Sequence, residues 1–547
     1  MKRCPECRRD YYDDSLFYCL EDGTVLVQGS VAPSLEPAAN HPHVTTEPAT
    51  LSIRMTEPAD AAPTQMFARP PQQAGPNSIV VLPFANLSRD EDAEYLSDGL
   101  AEELLNVLTK IEGLRVIGRS SAFSFKGKQT TIAEIGRQLH VSSVLEGSVR
   151  MAGKRVRISV QLVNVADESH LWSETYDRTF DDIFAIQDDI ARSVVEELRS
   201  RFTGSKEPDS GFTKQIAVEV AGAVKDRTDN PEVQRLMLLG RHLFRRRTKA
   251  DMAKALECYE RALEIDADNA QCWLGLALVQ ASRTGFGYTE SYDEGFRAAR
   301  TAVKAALRIE PDLAAAQILL ARLKLMQDRD FRGADESMQR ARELGVDDID
   351  LIEMGSATLR ILGQFDEVIG TGQKVLAVDP LNIAALSSIS HAGYPAGKLD
   401  EAERAARRAL EIAPQAVHRR AILALILAEN GRFEEARIEA AKETDPVWGP
   451  WATALVEIAA GRLDKARDEM EPLIREYREE AAFQIAEVYS KMGESDKAFE
   501  FLDIAVDTDP GISEILVSLQ LRALHTDPRW EPLLRKIGIP EEYWPKT

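Results

Sequence analysis

Of the five cysteines in this 547-residue chain, three fall at its start: Cys4, Cys7 and Cys19. Cys4 and Cys7 enclose two residues, Cys19 and Asp22 enclose two more, and eleven residues separate the two pairs. Three thiolates and a carboxylate on two such knuckles can close a tetrahedron around zinc, and metal binding would hold together a unit too small for a hydrophobic core. The plain alternative is three buried thiols in a short tail. A four-ligand site leaves no open position for a catalytic water, so the zinc expected through Cys4, Cys7, Cys19 and Asp22 is structural. The crowding of cysteines at metal spacing also points to a reducing, cytoplasmic compartment.

A second chemistry-bearing group is basic. Arg150, Lys154, Arg155 and Arg157 cluster on an expected hairpin, with Arg119, Lys126 and Lys128 just before it, whereas the whole chain carries 67 − 89 = −22. Such a patch could receive nucleic acid or an acidic partner, although the solvated face of a half-buried hairpin would look the same. Enzyme signals fail on inspection. Gly127 and Lys128 are followed by Gln129 where a phosphate loop needs Ser or Thr, and Ala122 stands where its first glycine belongs. HExxH, GxSxG, HRD and DFG phrases are absent. His170 reads as a structural contact in a strand, and Cys258 and Cys272 as small buried hydrophobes. No catalytic residue is assigned, and the chain is expected not to be an enzyme.

The elements that must carry these residues follow from apolar periodicity. Residues 31–77 hold nine of the 25 prolines and no sustained pattern, which makes them a tether. From 78 to 203 strands and helices alternate: a buried strand at Ile79 to Phe84, a helix through Leu96, Leu100, Leu104 and Leu108, a strand at Leu114 to Ile117, and a helix from Ile132 to Leu139. A hairpin follows, because Val156, Ile158, Val160 and Leu162 alternate with Arg155, Arg157, Ser159 and Gln161. A strand near Leu171 to Tyr176 and a helix through Ile186, Ile190, Val194 and Leu198 complete an α/β domain with a mixed sheet. After a linker at 204–228, helices run from 229 to 547 with a repeat: Gly363, Gly397 and Gly431 open similar phrases at intervals of 397 − 363 = 34 and 431 − 397 = 34. Gly461 and Gly493 continue it, and prolines at 311, 380, 414, 446 and 510 mark the far ends of units. The expectation is about eight helix pairs. No apolar run reaches the ~20 residues of a membrane span.

Three resemblances attach to these segments. Residues 1–30 resemble a bacterial zinc-ribbon pattern in which the second knuckle reads Phe, Cys, two residues, Asp-Gly, although Tyr18 is inserted here. SIVVLPFANLS, EYLSDGLAEEL, RSSAFSFKGK, LEGSVR, HLWSETYDR and DIFAIQDDIA resemble, in order, the TolB amino-terminal-like domain related to the FlgO type. That resemblance implies a regulatory interaction module and brings no active-site residue. The 34-residue period is that of tetratricopeptide repeats, and the last regular unit matches their pattern at Ala482, Ile485, Ala486, Tyr489, Ala498, Leu502, Ala505 and Pro510. The segment from Asp527 resembles the helix that closes such arrays. The fold expected is therefore multidomain: zinc ribbon, α/β domain and all-α tetratricopeptide superhelix. The function expected is a cytoplasmic bacterial regulator or adaptor holding protein partners in the superhelical groove. The alternative is a transcription-linked protein touching nucleic acid or polymerase through ribbon and hairpin. Arg419, Arg420, Trp451 and Gln484 fall on first helices, where a groove would be lined.

Overall fold

The computed structural model describes residues 77–544 apart from 89–93, 112, 154, 180–182, 204–227, 229, 290, 416 and 509, and three short strands before them. Those strands, β1 (Lys2–Arg3), β2 (Asp10–Tyr11) and β3 (Val27–Gln28), form a small antiparallel sheet with β1 in the middle. Cys4, Cys7, Cys19 and Asp22 lie outside the described residues, as does Lys154.

The α/β domain is built on a six-stranded mixed sheet. β4 (Ser78–Val81) pairs in parallel with β6 (Arg115–Val116) and β7 (Ser143–Ala152), and β5 (Ala85–Asn86) also pairs in parallel with β7. β8 (Arg155–Asn164) and β9 (His170–Thr179) extend the sheet antiparallel. The apolar run at β4 is explained by helices on both its faces. Ile79 and Val81 face the core under α1 (Glu94–Thr109) and α4 (Ile183–Thr203), while Val80 faces the smaller core with Ile135 and Leu139 of α3 (Ile132–Leu139). On β8, Val156, Ile158, Val160 and Leu162 all enter the larger core, so the alternation read from sequence fixes which face is wet. A short helix, α2 (Arg119–Phe123), has no periodicity long enough to announce itself.

The helices from Pro231 onward form eight antiparallel pairs among the described residues. Their first helices are Pro231–Arg246, Ala270–Gly285, Ala314–Leu323 extended to Asp328, Asp348–Asp350 extended to Ile361, Ile383–Gly393, Arg419–Glu429, Trp448–Ala459 and Ala482–Lys491. Gly363, Gly397, Gly431, Gly461 and Gly493 sit at the turn within a pair with φ between +73° and +78°, a conformation in which a β-carbon would crowd the carbonyl. The first and third pairs place Arg247 and Arg329 there, at φ +55° and +52°. The interval 363 − 329 = 34 holds, but without glycine the phrase is invisible in sequence. The first helices of pairs 3 and 4 each contain a π turn, Lys324–Asp328 and Leu351–Gly355. Beyond pair 8, a 3₁₀ turn (Pro510–Leu516) and a closing helix (Trp530–Ile537) bury Ile512, Ile515, Leu521, Leu524 and Trp530 in the array's core.

Candidate functional site

The first helices of the pairs share one face of the array, and two parts of that face differ in what covers them. The first part carries the α/β domain. Gly99 of α1 lets the first helix of pair 1 approach so closely that a β-carbon there would meet Leu238 Cδ2 at 3.0 Å, and Leu238 joins the α/β core. Around this contact every acid of α1 finds a base. Lys126 Nζ lies 2.7 Å from Asp98 Oδ2 and 2.5 Å from Glu94 Oε1; Arg241 Nη1 donates to Glu103 Oε1 at 3.1 Å; Arg245 and Arg119 both hold Glu102. Burial would raise the Glu102 carboxyl, but Arg245 and Arg119 hold it below its ordinary value. Asp98 is held down in the same way against burial, by hydrogen bonds from His242 and Lys126.

A second contact fixes α2 to the loop after pair 4. The Asp379 carboxylate, 1% exposed, accepts hydrogen bonds from Ser121 N at 2.7 Å and Ser120 N at 3.2 Å, as well as from Ser121 Oγ. Ser121 Oγ in turn accepts from Leu381 N at 2.9 Å, and Gly118 N donates to Val378 O at 3.0 Å. A carboxylate from another domain thus satisfies the free N–H groups that open α2, as a capping residue would. Gly118 is required by proximity, since its β-carbon would lie 2.4 Å from Asp379 Cβ.

The second part, on pairs 5 to 7, is lined by His391, His418, Arg419 and Trp448, all partly exposed. Ser387 orders two of them: its carbonyl lies 2.7 Å from His391 Nδ1, and its Oγ accepts from Arg419 Nε at 2.8 Å. His391 Nε2 is 3.5 Å from His418 Nδ1, and the His418 ring lies 4.0 Å from that of Trp448. His418 holds a left-handed backbone, φ +71°, immediately before its helix. Burial, with Arg360 next, pushes His391 down to about 4; burial and His391 push His418 well below its ordinary value, so both rings are neutral near pH 7. Alongside, the C-terminal segment lies against the array. Glu514 accepts a two-pronged ion pair from Arg360 at 2.8 and 2.7 Å, Gln520 Nε2 donates to Tyr394 Oη at 3.1 Å, and Tyr543 packs on Phe331.

The residues singled out from sequence distribute as follows. On the hairpin, Arg155 and Arg157 share Asp177 of β9, at 2.9 and 2.6 Å, and Arg150 stands opposite Arg157 in register. Arg119 and Lys126, near them in sequence, turn instead to α1. In pair 8, Ala482, Ile485, Ala486, Ala498, Leu502 and Ala505 are fully buried, Tyr489 is half-buried and stacks on Phe501, and Pro510 begins the 3₁₀ turn. Trp451 and Gln484 are buried, and Trp451 Nε1 donates to Glu487 Oε2 at 2.9 Å; Arg420 pairs with Glu439. Cys258 and Cys272 are buried and free, and burial pushes the Cys272 thiol up to about 12. A cleft of about 700 Å³ lies past the end of β4 and over the middle of β7 and β8, between Phe84, the loop at Gly127 and Lys128, and the polar strand residues Ser148, Ser159 and Ser173. Among the described residues no group of His, Cys, Asp and Glu could hold a metal, and no helix is long and apolar enough to cross a membrane. Asp379, Ser120 and Ser121 escaped sequence reading because Asp379-Pro380 looks like any other repeat boundary.

Residues 75–193 match the family model for the second domain of HilA/YgeH-like transcriptional regulators, and 247–269 and 394–446 match tetratricopeptide repeat models. The C-terminal helices are thus tetratricopeptide repeats, and a regulator-type domain precedes them. A curated relative, the putative adenylate cyclase 3 of Rhizobium meliloti (strain 1021), is 37% identical over 210 residues, which is 38% of this chain; the match spans 34%, about a third, of that protein. Solved structures with some likeness include the human IFIT1 dimer with PPP-AAAA (14% identity, TM-score 0.35, covering 78% of this chain and 97% of that one). Another is the P58(IPK) TPR domain (15%, TM-score 0.20, covering 56% and 91%).

Proposed function

We propose that this chain is a regulatory adaptor that binds a protein partner on the first-helix face of pairs 5 to 7, with the α/β domain fixed beside that face as part of one body. The observation that carries the reading is the ordered yet partly exposed cluster of His391, His418, Arg419 and Trp448, positioned by Ser387 without any catalytic grouping around it. Aromatic and arginine side chains of this kind dominate the energetics of protein interfaces. The tetratricopeptide matches support a protein partner, and the match of 75–193 to a regulator's domain supports a regulatory role. Within this reading residues 78–203 act as a TolB-like interaction module, the chain works in the cytoplasm, and it performs no catalytic step of its own. Nucleic-acid binding through the hairpin is disfavoured, because Asp177 already neutralises part of its charge.

A photo-crosslinking residue at Trp448 of the full-length chain should capture a discrete partner, and one at Arg408 on the second helix of pair 5 should not. Capture from position 408 alone would reject the face. Residues 1–30 are proposed to hold one structural zinc through Cys4, Cys7, Cys19 and Asp22. The purified reduced chain should then contain one zinc per molecule, lost in Cys19→Ser; metal-free wild-type protein would refute that part.

A further inference from the structure

On one face of the α/β sheet, α3 covers only the start of β7, where Val144 packs with Ile135 and Leu139. Side chains alternate along a strand, so Glu146 and Ser148 stand further along that same face, past the helix. The antiparallel register sets Gln161 of β8 opposite Glu146, Ser173 of β9 opposite Gln161, and Ser159 opposite Ser148. Polar groups of three strands thus form two rows on one face. A merely solvated sheet face would carry such rows in the open. Here the segment 124–132 rises beside them, with Phe125 and Ile132 partly exposed along it, and the walls bound the cleft of about 700 Å³, a size that admits a small molecule.

The place is a topological switch point. From β4 the chain passes to β6 on one side through α1, packed on one face, and from β6 it returns past β4 to β7 through α3, packed on the other. In open α/β sheets ligands sit where such crossovers part, past the carboxyl ends of the strands. Five of the six phrases that marked this domain in sequence contribute to the cleft, through Pro83, Glu94, Lys126, Glu146 and Ser173. Its charges balance: Lys126 is committed to Glu94 and Asp98, which leaves Glu146 and Lys128, one of each sign. Gln161 Nε2 donates to Glu146 Oε1 and orients the carboxylate, while Glu146 Oε2 and the hydroxyls of Ser148 and Ser173 have no side-chain partner among the described residues. We infer that this cleft binds a small uncharged ring compound with vicinal hydroxyls, a saccharide or a nucleoside, its diol donating to Glu146 and the apolar side of its ring lying against Phe125 and Ile132. A phosphorylated ligand is disfavoured, because the cleft holds no excess of cations.

The test titrates the full chain with maltose and with uridine, read by saturation-transfer difference NMR. At least one of the two should bind, and which one does distinguishes a saccharide site from a nucleoside site. Glu146→Gln, nearly isosteric and still able to pair with Gln161, should weaken that binding about tenfold, the loss expected when a hydrogen bond to a charged acceptor becomes one to a neutral acceptor. Ser173→Trp, at an exposed position on β9, should fill the mouth of the cleft and abolish binding with unaltered circular dichroism. Glu134→Gln, exposed on α3 outside the cleft, should change nothing. Absence of binding by both probes would overturn the inference, as would binding indifferent to both Glu146→Gln and Ser173→Trp. Uridine 5′-phosphate binding more tightly than uridine, with the gain lost in Lys128→Ala, would also overturn it, since the cleft would then select a phosphate.

Discussion

Where the α/β domain meets pair 1, charges are dense and closed: Glu94, Asp98, Glu102 and Glu103 all meet cations, and Gly99 and Leu238 close an apolar contact between them. On pairs 5 to 7 the same face of the array carries Arg419, which donates to Ser387 Oγ and has no acid partner among the described residues, and two neutral histidines against a tryptophan. Both parts are built from first helices of one repeat, so the repeat cannot account for the difference. A surface that has its permanent partner is electrostatically complete. On the reading proposed above, the second part is completed only when its partner binds.

The largest effect should come from breaking the completed side at its most buried point. Asp379→Ala strands Ser120 N, Ser121 N and Ser121 Oγ, and should lower the opening free energy of 118–123 by about 3 kcal/mol, read by native-state hydrogen exchange. Gly118→Ala should act similarly by pushing α2 away from the loop. Protection of 118–123 that survives both changes would mean that this contact does not hold the domains together.

Glu102→Gln should be next, loosening α1 from pair 1 by about 2 kcal/mol because Arg119 and Arg245 lose their shared counter-charge. The same carboxyl sets an acid limit. Its folded-state value is depressed, so its stabilisation is complete above its ordinary value of 4.5 and is lost as pH falls through the folded value. Exchange at α1 should therefore quicken below about pH 4.5 in the wild type and less so in Glu102→Gln.

On the open side the sign of the pH effect is set by a histidine. His391 titrates near 4 when folded and near 6.5 when unfolded, so the unfolded chain binds the extra proton between these values and stability falls as pH drops from 6.5 toward 4. Acidification from pH 7 to 5 should destabilise pair 5 by roughly 1 to 2 kcal/mol, and His391→Gln should flatten the curve. The smallest effect belongs to the outer surface: Arg408→Ala, which breaks a solvent-exposed pair with Glu411, should change stability by less than about 0.5 kcal/mol in urea denaturation.

Much of the architecture was legible because it is periodic. The alternation on β8 placed Val156 through Leu162 inward, and the spacing of Gly363, Gly397 and Gly431 defined a repeat whose turns need positive φ. The repeat faded where another residue accepted the same strained backbone, as at Arg247 and Arg329, or where a π turn shifted the helical phase, as at Lys324–Asp328. The candidate site was less legible. Arg419 was placed on a first helix without its orientation, Trp451 proved to be buried, and His391 and His418 carried no sequence signal, since their nearness depends on two helices packing side by side.

By itself, then, the sequence determined which residues form strands and helices, which side of each is apolar, and where a helix pair must turn, because these follow from local periodicity and backbone sterics. Only the tertiary structure decided that Asp379 would cap a helix 258 residues earlier, and that His391 and His418 would meet across two neighbouring helices. Electrostatic pairing depends on distance in space, and a superhelix brings together charges that no local pattern relates.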